Sequence, residues 1–225
     1  MQRAAPAQGF EIVEGVFTRT EMSDFIAGLD GSPLARSKAG ARHLLGIAAV
    51  HALASDRRLT EMAETFVGSE AAPFRATLFD KSSESNWLVV WHQDTALPLA
   101  SRTASVEWGP WSVKAGVLYA HAPAWALERV IALRVCLDDS IATNGPLRVL
   151  PGTHARGLLE DNEVQRLASE IIPVDCVADA GAVVAMRPLL IHSSSKSRND
   201  QPRRVLHIEY ASSLRLAPDI ELAVA

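Results

Sequence analysis

The chain has 225 residues, which is enough for one well-buried domain and short for two. Apolar residues make up 48% and charged residues 21%, a composition typical of a folded globular protein. The net charge of -4 offers no basic surface for nucleic acid or for an anionic membrane. We therefore expect small molecules or other proteins as partners, no nucleic-acid partner and no membrane association. The oligomeric state cannot be predicted from the sequence.

Cysteine usage and hydropathy indicate the compartment. Cys136 and Cys176 lack the close spacing of a zinc site and are typical of buried free thiols in a reducing environment. The N-terminal stretch has no apolar core of the kind that a signal peptide needs. The longest apolar run, residues 44–54, falls short of the roughly 20 residues of a membrane span. A cytoplasmic protein is the expectation.

The first 70 residues carry helical patterns. Residues 18–29 place apolar side chains at helical spacing, with Thr20 as a candidate N-cap. Residues 55–68 repeat the pattern between Ser55, a second candidate N-cap, and Gly68, a common helix stop. We predict two helices here.

From about residue 73 the pattern changes to short apolar runs separated by turn residues. These runs predict seven strands: PFRATLF, NWLVVWHQD, RVIALRVCLDD, LRVLPG, GAVVAMRP, LLIHSS and RRVLHIEYA. Short helical pieces near 122–128 and 159–169 interrupt them. Many short strands without regular helix alternation favour an antiparallel sandwich or jelly roll. The prediction is one domain over residues 1–225, mainly β with flanking α-helices, with a helical part at about 1–70 and a jelly-roll core at about 73–212.

Polar side chains follow the apolar run that ends at Trp91. Strand residues i and i+2 face the same side, so His92 and Asp94 can converge on one point while Gln93 faces away. The pair alone also fits a frayed strand end, and a metal site needs a third ligand. His192, at the end of a later apolar strand, supplies it if the two strands are neighbours in a jelly roll. Two histidines and one carboxylate form the facial triad of non-haem Fe(II) oxygenases, which leaves positions for a co-substrate and O₂.

Arg203 lies eleven residues after His192, on the next predicted strand. A turn at 199–202 leads into a strand that begins at Arg203, and a guanidinium group binds a carboxylate through two parallel hydrogen bonds. Alternation places Arg203 and His207 on one face and Arg204 on the other, so one arginine points inward. We predict that Arg203 binds the far end of a dicarboxylate co-substrate and that Arg204 lies in solvent.

With these residues in place, the chain resembles the phytanoyl-CoA dioxygenase family of Fe(II)/2-oxoglutarate oxygenases. The matching segments are WHQD (91–94), NGPLRVLPGTH (144–154), PLLIHSSS (188–195) and RRVLHIEYA (203–211). Four blocks in the family's order, between about residues 75 and 211, make the resemblance specific. It implies a double-stranded β-helix fold, iron held by His92, Asp94 and His192, and 2-oxoglutarate and O₂ as co-substrates.

The resemblance also implies roles around the co-substrate. The distal carboxylate of 2-oxoglutarate would lie on Arg203, with a contact from Ser194. Thr77 and Arg134 match strand positions that line the pocket, although Arg134 stands where an aromatic residue is more usual. The carboxylate of Asp94 favours hydroxylation or desaturation over halogenation, because related halogenases have a small residue there. The substrate is not implied, since specificity resides in the pocket and not in the fold.

The segment 95–125 directly follows the proposed ligand Asp94. It is rich in Gly and Pro and holds four of the chain's seven Trp and Tyr residues. Loops of this length are often lids or binding loops, so we expect it to cover the iron and Trp111 and Tyr119 to contact substrate. Closing the barrel mouth is the alternative role. Lys81 could approach the site from the strand before the WHQD block, but a solvated loop lysine is the favoured interpretation.

The leading hypothesis is a 2-oxoglutarate-dependent non-haem iron hydroxylase acting on a small molecule. One alternative is a cupin-like oxygenase that does not use 2-oxoglutarate. The other is a jelly-roll metal-binding or ligand-binding module without oxygenase activity. Neither alternative gives Arg203 a purpose beside the three candidate ligands.

Overall fold

The computed structural model describes residues 7–30, 34, 36–37, 40–68, 70–82 and 85–225. The α-helices in these ranges are α1 (Arg19–Asp30), α2 (Ala48–Ala54), α3 (Arg57–Val67), α4 (Ala124–Leu127) and α5 (Asp161–Glu170). The strands are β1 (Phe10–Val13), β2 (Arg36–Ser37), β3 (Gly40–Arg42), β4 (Ala72–Lys81), β5 (Val89–His92), β6 (Ala96–Leu99), β7 (Trp111–Lys114), β8 (Val117–His121), β9 (Val130–Cys136), β10 (Leu147–Val149), β11 (Val174–Cys176), β12 (Val183–Met186), β13 (His192–Ser194), β14 (Arg203–Ala211), β15 (Arg215–Ala217) and β16 (Ile220–Glu221). Among these helices, none combines the length and the apolar character needed to cross a bilayer.

Two antiparallel sheets form the body of the fold. The major sheet has seven strands in the order β1-β12-β9-β14-β4-β3-β2, and the minor sheet has four in the order β11-β10-β13-β5. Apolar side chains from both sheets share one cluster, in which Ala132 and Val184 of the major sheet meet Leu147 and Val149 of the minor sheet. The prediction of a mainly β chain with flanking helices is confirmed.

The two faces of the major sheet have different chemistry. One face packs apolar residues such as Leu78, Leu133 and Leu206 against the N-terminal helices in a single cluster. Burial of each such side chain stabilises the fold by roughly 1.5–3 kcal/mol. Because side chains alternate along a strand, the intervening residues face the minor sheet, and many of them are polar or charged. The sheet therefore separates an apolar helix-facing core from a polar interior.

Both predicted N-terminal helices are present, but each begins on a different cap from the one predicted. Thr18, not Thr20, caps α1: its hydroxyl accepts from the amide of Glu21 at 3.2 Å, and the Glu21 carboxylate accepts from the amide of Thr18 at 2.7 Å. This reciprocal pair is a capping box, which needs a carboxylate three residues after the cap. Asp56, not Ser55, caps α3 by accepting from the backbone amide of Arg58 at 2.9 Å.

The segment 95–125 is not the long loop that the sequence suggested. It contains β6, β8 and β7, which pair in that order as a three-stranded antiparallel sheet. Leu97 and Leu99 of β6 are buried in a second apolar cluster that also includes Trp108. Backbone pairing, not a flexible connection, therefore organises this part of the chain.

Leu206 offers a test of the helix-facing core, since its side chain is fully buried. Substitution of Leu206 by Ala should lower the free energy of unfolding by about 2–5 kcal/mol, because the cavity left behind adds to the lost burial. Urea denaturation measures the change. Leu88, which is 58% exposed, provides the control, and Leu88→Ala should change stability by less than about 0.5 kcal/mol. Equal losses in the two variants would contradict this account of the core.

Candidate active site

A cavity of about 370 Å³ opens between the two main sheets. Residues of β4, β9 and β14 form one wall, and residues of β5, β10 and β13 form the other. The sheet formed by β6, β8 and β7 contributes a third side through residues that include Tyr119. The polar face of the major sheet thus becomes the wall of a ligand-sized cavity.

Three candidate metal ligands meet at one side of this cavity. The pairing of β5 with β13 places His92 opposite His192, and the amide of Asp94 donates to the carbonyl of Pro188 at 2.9 Å. The Nε2 atoms of His92 and His192 each lie 3.5 Å from one of the two carboxylate oxygens of Asp94. One donor atom from each of the three residues lies within 4.8 Å of the other two. The structure brings together the three residues that the sequence singled out.

Backbone carbonyls fix the orientation of both imidazoles. Nδ1 of His92 lies 2.8 Å from the carbonyl oxygen of Val90, and Nδ1 of His192 lies 2.8 Å from that of Leu190. An acceptor at Nδ1 selects the tautomer with the proton on that atom and leaves the lone pair on Nε2. Both Nε2 lone pairs therefore face the carboxylate of Asp94, as ligands of a shared metal ion require.

The protonation states of Asp94 and His192 also suit metal binding. Burial is the largest influence on His192 and lowers its pKa to about 4. Burial opposes the charge of Asp94, yet His192 and His92 hold the pKa of that carboxyl well below its usual value. Asp94 is thus ionised and His192 neutral at pH 7, the forms in which these groups bind metal ions.

The donor set fits a first-row metal that prefers mixed nitrogen and oxygen ligands. With metal–ligand bonds of about 2.1 Å, neighbouring octahedral ligands lie about 3 Å apart, slightly closer than the 3.5 Å between each imidazole and the carboxylate. Three ligands on one face leave the opposite face for exogenous molecules. The cluster of His92, Asp94 and His192 therefore fits iron in an oxygenase site.

Arg203 lies on the same cavity and has a buried donor atom without a partner. Its side chain is 3% exposed, and among the described residues its Nε has no hydrogen-bond partner. Its Nη2 lies 3.4 Å from the hydroxyl oxygen of Ser194. Burial lowers the pKa of Arg203 to about 10, so the group stays cationic at neutral pH. A buried cation with a free donor is a receptor for a ligand carboxylate.

Arg204 occupies the opposite face, as alternation predicted, but it is not simply solvated. Its guanidinium group donates from Nε and from Nη2 to the two carboxylate oxygens of Asp138, both at 2.8 Å. The prediction that Arg204 lies in solvent is therefore wrong, because its guanidinium group is bound by Asp138. This ion pair gives Asp138 a structural role, because it connects the end of β9 to the start of β14.

The prediction that Lys81 is a solvated loop residue is also wrong. Its side chain is fully buried, and its Nζ donates to the hydroxyl of Ser194 at 2.8 Å. The register of β4 and β14 pairs Lys81 directly with Arg203. Burial, followed by the charges of Arg203 and Arg134, lowers the pKa of Lys81 to about 7. The lysine expected in solvent is a second cation at the Arg203 end of the cavity.

The turn at Asn144-Gly145-Pro146 packs against the Arg203 end of the cavity. Gly145 has a left-handed φ of +70°, and a Cβ atom there would lie 2.3 Å from the carbonyl oxygen of Ser195 and 3.1 Å from Nζ of Lys81. The carbonyl of Gly145 also accepts from the hydroxyl of Ser194 at 2.9 Å. Glycine is therefore required at this position by close packing as well as by backbone conformation.

Thr77 and Arg134 lie where the sequence prediction put them, on the cavity wall. Strand register aligns them in a row across the major sheet, with Thr77 opposite both Arg42 and His207, and His207 opposite Arg134. Nη1 of Arg134 lies 3.0 Å from Nδ1 of His207. Side chains in such a row share one face of the sheet, which explains why all four line the cavity.

Of the two predicted substrate residues, only Tyr119 lines the cavity. Trp111 pairs with Ala120 and packs against the apolar cluster on the other side of its sheet. The placement of Trp111 at the substrate was thus wrong, because alternation along β7 turns Lys114 and not Trp111 towards the cavity.

Gln93 points away from the metal ligands, as alternation predicted. Its amide nitrogen donates to the carbonyls of Leu189 at 2.7 Å and Gly157 at 2.8 Å, and its oxygen accepts from the amide of Leu159 at 2.9 Å. These bonds tie β5 to the segment before β13 and to the segment before α5. Gln93 therefore supports the position of the two neighbouring ligands.

Three cavity cations were absent from the sequence predictions: Arg42, Arg75 and Lys114. Arg75 is two residues before Thr77 on a predicted strand, so alternation alone could have placed it on the same face. Arg42 and Lys114 lie on short strands that carry no clear sequence pattern. Their positions depend on pairings between segments distant in the chain.

The fold and the cluster together define a jelly-roll protein with a metal-binding cavity. A family model described as Phytanoyl-CoA dioxygenase (PhyH) matches residues 7–205. The chain belongs to the phytanoyl-CoA dioxygenase family. This membership confirms the resemblance seen in the four sequence blocks.

One relative and several solved structures are similar to the chain. L-proline trans-4-hydroxylase from Streptomyces griseoviridis is 24% identical in an alignment of 178 residues. The alignment covers 68% of this chain and 59% of that protein, so the chain spans less than two thirds of that relative's length. AviO1 from Streptomyces viridochromogenes Tue57 has a TM-score of 0.66 at 23% identity, with 96% of this chain and 93% of AviO1 covered.

Two further structures contain ligands. HygX from Streptomyces hygroscopicus, with nickel and 2-oxoglutarate bound, has a TM-score of 0.66 at 17% identity and covers 91% of this chain and 83% of its own. EctD from S. alaskensis, with 2-oxoglutarate and 5-hydroxyectoine, has a TM-score of 0.68 at 20% identity, with 92% and 73% covered. At these identities the likeness concerns the fold, and it confirms the predicted jelly roll.

The metal cluster can be tested directly by Mn(II) binding, measured by equilibrium titration with electron paramagnetic resonance. Asp94→Ala should weaken Mn(II) binding by at least about 100-fold, because a lost ligand costs no less than a lost outer-shell partner. Asp175→Ala is the control, since Asp175 forms an exposed ion pair with Arg148. Similar Mn(II) affinities in the two variants would rule out the cluster as the metal site.

Proposed function

We propose that this protein is a non-haem Fe(II)- and 2-oxoglutarate-dependent oxygenase that hydroxylates a small-molecule substrate. One observation carries the proposal: a single cavity holds both the His92, Asp94 and His192 cluster and the buried cation Arg203 with a free Nε donor. A metal-binding module alone has no use for the buried arginine. An oxygenase that does not use 2-oxoglutarate has none either.

The bound iron and 2-oxoglutarate supply the oxidising chemistry, in which O₂, 2-oxoglutarate and a substrate C–H bond give succinate, CO₂ and the hydroxylated product. The chain supplies position and charge. His92, Asp94 and His192 would hold the iron, and Arg203 would bind the distal carboxylate of 2-oxoglutarate. The low exposure of Arg203 limits the access of water to the distal end of the co-substrate.

The spacing along β13 supports this assignment. Ser194 lies two residues after His192, so its side chain is on the same face and about 6.6 Å further along the strand. A five-carbon dicarboxylate can span that distance between a metal at His192 and a carboxylate receptor beside Ser194. Ser194 also accepts from Lys81, which adds a second donor to the receptor. We infer that Lys81, Ser194 and Arg203 together bind the distal carboxylate, with Thr77 and Arg134 on the adjoining wall.

The size of the cavity supports a small-molecule substrate. Its volume of about 370 Å³ is near the lower end of the roughly 300–1,000 Å³ of ligand sites, and the co-substrate takes part of it. An acyl-CoA is therefore a poor fit, and a free metabolite is favoured. L-Proline, the substrate named for the relative in Streptomyces griseoviridis, is a reasonable first compound to assay. Tyr119 is the candidate substrate contact retained from the sequence prediction.

The proposal also covers the cellular location, the partners and the domain organisation of the enzyme. Cys136 and Cys176 are buried free thiols, which supports a cytoplasmic location. The net charge of -4 supports the absence of a nucleic-acid partner. The shared apolar cluster between the two sheets supports a single catalytic domain.

Succinate formation from 2-oxoglutarate tests the proposed function, and Arg203 provides the decisive variant. Arg203→Met should raise the KM for 2-oxoglutarate at least about thirtyfold, because a carboxylate that loses a buried charge partner costs about 2–5 kcal/mol. The matched control is Arg204→Met, on the next residue and the opposite face, which should leave this KM within about twofold. Succinate release with Fe(II) and O₂ is followed by mass spectrometry.

Two outcomes would contradict the proposed function. One is the absence of succinate formation by the folded, iron-loaded protein, which would favour a binding module. The other is metal binding with substrate oxidation that does not depend on 2-oxoglutarate, which would favour a cupin-like oxygenase. Equal effects of the two arginine substitutions would reject Arg203 as the carboxylate receptor.

Lys81 makes 2-oxoglutarate binding dependent on pH. Its pKa of about 7 means that the amine is charged below pH 7 and neutral above it, whereas Arg203 keeps its charge throughout. The dianion binds better to the charged amine, so the Kd for 2-oxoglutarate should rise about tenfold between pH 6 and pH 8. Lys81→Met should remove this dependence, and Lys196→Met, an exposed neighbour, should retain it. Calorimetric titration at several pH values measures the effect, and an unchanged pH profile in Lys81→Met would exclude this role.

A further inference from the structure

The walls of the cavity carry more positive than negative charge. Five cationic side chains line it: Arg42, Arg75, Lys114, Arg134 and Arg203. Asp94 is the acid among the lining residues, and Glu209 adds a second carboxylate through its ion pair with Arg75. Five cations minus two carboxylates leave an excess of three positive charges, with Lys81 left aside because it titrates near neutrality. Ferrous iron and the 2-oxoglutarate dianion cancel each other, so the excess remains for the substrate.

Arg42 and Lys114 lie away from the end that holds Arg203. Arg42 is opposite Thr77, which is four residues or about 13 Å along β4 from Lys81, the partner of Arg203. Lys114 comes from β7, on the third side of the cavity. Arg42 and Lys114 are therefore available to a ligand other than 2-oxoglutarate.

Arg42, His43, Lys114 and Tyr119 form one corner of the site, which we call the Arg42–Lys114 corner. Nζ of Lys114 lies 4.8 Å from the centre of the Tyr119 ring, and the Tyr119 hydroxyl lies 2.9 Å from Nε2 of His43. Arg42, the residue before His43, and Lys114 both line the cavity. Burial and then the charge of Arg42 lower the pKa of Lys114. Tyr119 thus links the two segments that carry these cations.

The backbone at this corner is held in an unfavourable conformation. His43 has a φ of +59°, in the left-handed region, which costs a non-glycine residue about 1–3 kcal/mol. This conformation turns the His43 ring onto Tyr119 while Arg42, the preceding residue, lines the cavity. Strain of this kind is tolerated where the surrounding structure enforces a functional position.

Neither cation of the corner has an acidic partner in the part of the chain that the structure describes. Other arginines, such as Arg58, Arg166 and Arg204, are paired with carboxylates. Two neighbouring positive charges without a counter-ion favour the binding of an anion. Lys114 and Asp94 line the same cavity, so an anion bound at this corner shares the cavity with the metal cluster.

We propose that the substrate is a small carboxylic acid whose carboxylate is bound by Arg42 and Lys114. The proposal rests on the oxygenase function proposed above and names the substrate class of the same site. The planar guanidinium group of Arg42 can bind both carboxylate oxygens, and the ammonium group of Lys114 adds a compact charge. The remainder of the molecule would then extend towards His92, Asp94 and His192. The small cavity and the two cations of the Arg42–Lys114 corner favour a carboxylate over the larger, more highly charged phosphate group.

Matched acid and amide probes test the proposed substrate class through the charge of the carboxylate alone. The probes are small carboxylic acids, each paired with its primary amide, including hexanoate with hexanamide and 3-phenylpropanoate with 3-phenylpropanamide, and phenyl phosphate as a phosphomonoester. Binding is measured by anaerobic calorimetry on the full chain loaded with Fe(II) and 2-oxoglutarate. We expect acids to bind at least about tenfold more tightly than their amides, as a charged hydrogen bond implies.

Variants assign the effect to the corner. Arg42→Gln and Lys114→Gln should each weaken binding of the preferred acid about tenfold and leave amide binding within about twofold. Lys114→Arg, which keeps the charge, should restore most of the affinity. Arg57→Gln is the control, because Arg57 pairs with Glu61 on the exposed surface of α3.

Several results would overturn the carboxylate assignment: no binding of any acid, equal binding of acids and amides, preference for phenyl phosphate, or variants that behave like Arg57→Gln. Succinate release by the unsubstituted protein without added substrate separates this proposal from the proposed function. Its absence counts against the oxygenase activity, whereas release combined with indifference to the acid group overturns the substrate class alone.

Discussion

The site depends above all on the antiparallel pairing of β5 with β13, which sets His92 opposite His192. The two strands are about a hundred residues apart in the chain, and their pairing brings both Nε2 atoms to the carboxylate of Asp94. Backbone carbonyls two residues before each histidine then fix the ring orientation. A shift of β5 by one residue against β13 would turn the imidazole of His92 to the other face of the sheet, away from that of His192. Ligand geometry is thus a consequence of strand register.

The period of two along the strands also divides the major sheet into a structural and a functional face. Leu78 and Leu206 face the helices, while their neighbours Thr77 and His207 line the cavity. The polar face carries buried cations, and their desolvation is costly unless an anion binds. Arg203, with a free Nε donor, is the clearest case. The same face therefore carries both the proposed receptor for the co-substrate and the excess of positive charge on which the proposed acidic substrate rests.

Much of this site was predictable from sequence because its main residues end apolar strands. His92, Asp94 and His192 follow runs whose alternation fixes the direction of each side chain, and Arg203 follows a clear turn. Lys81 was misplaced because β4 was predicted to end at Phe79, two residues early. One more alternation from Thr77 through Phe79 would have put Lys81 on the cavity-facing side of β4.

Other features could not be predicted from the local sequence. The segment 95–125 has turn residues typical of a loop, and its three strands form because they pair with one another. Which face of β7 meets the cavity depends on that pairing, so Trp111 was chosen where Lys114 lines the site. The helix caps were missed by one or two residues, because a cap is defined by hydrogen bonds and not by residue type alone.

The most direct test of the central claim is a crystal structure of the protein grown anaerobically with Fe(II) and 2-oxoglutarate. We expect iron bound by His92, Asp94 and His192, with one end of 2-oxoglutarate on the metal and the distal carboxylate contacting Arg203 through its Nε. Iron bound by other residues, or a 2-oxoglutarate molecule that does not contact Arg203, would contradict the account.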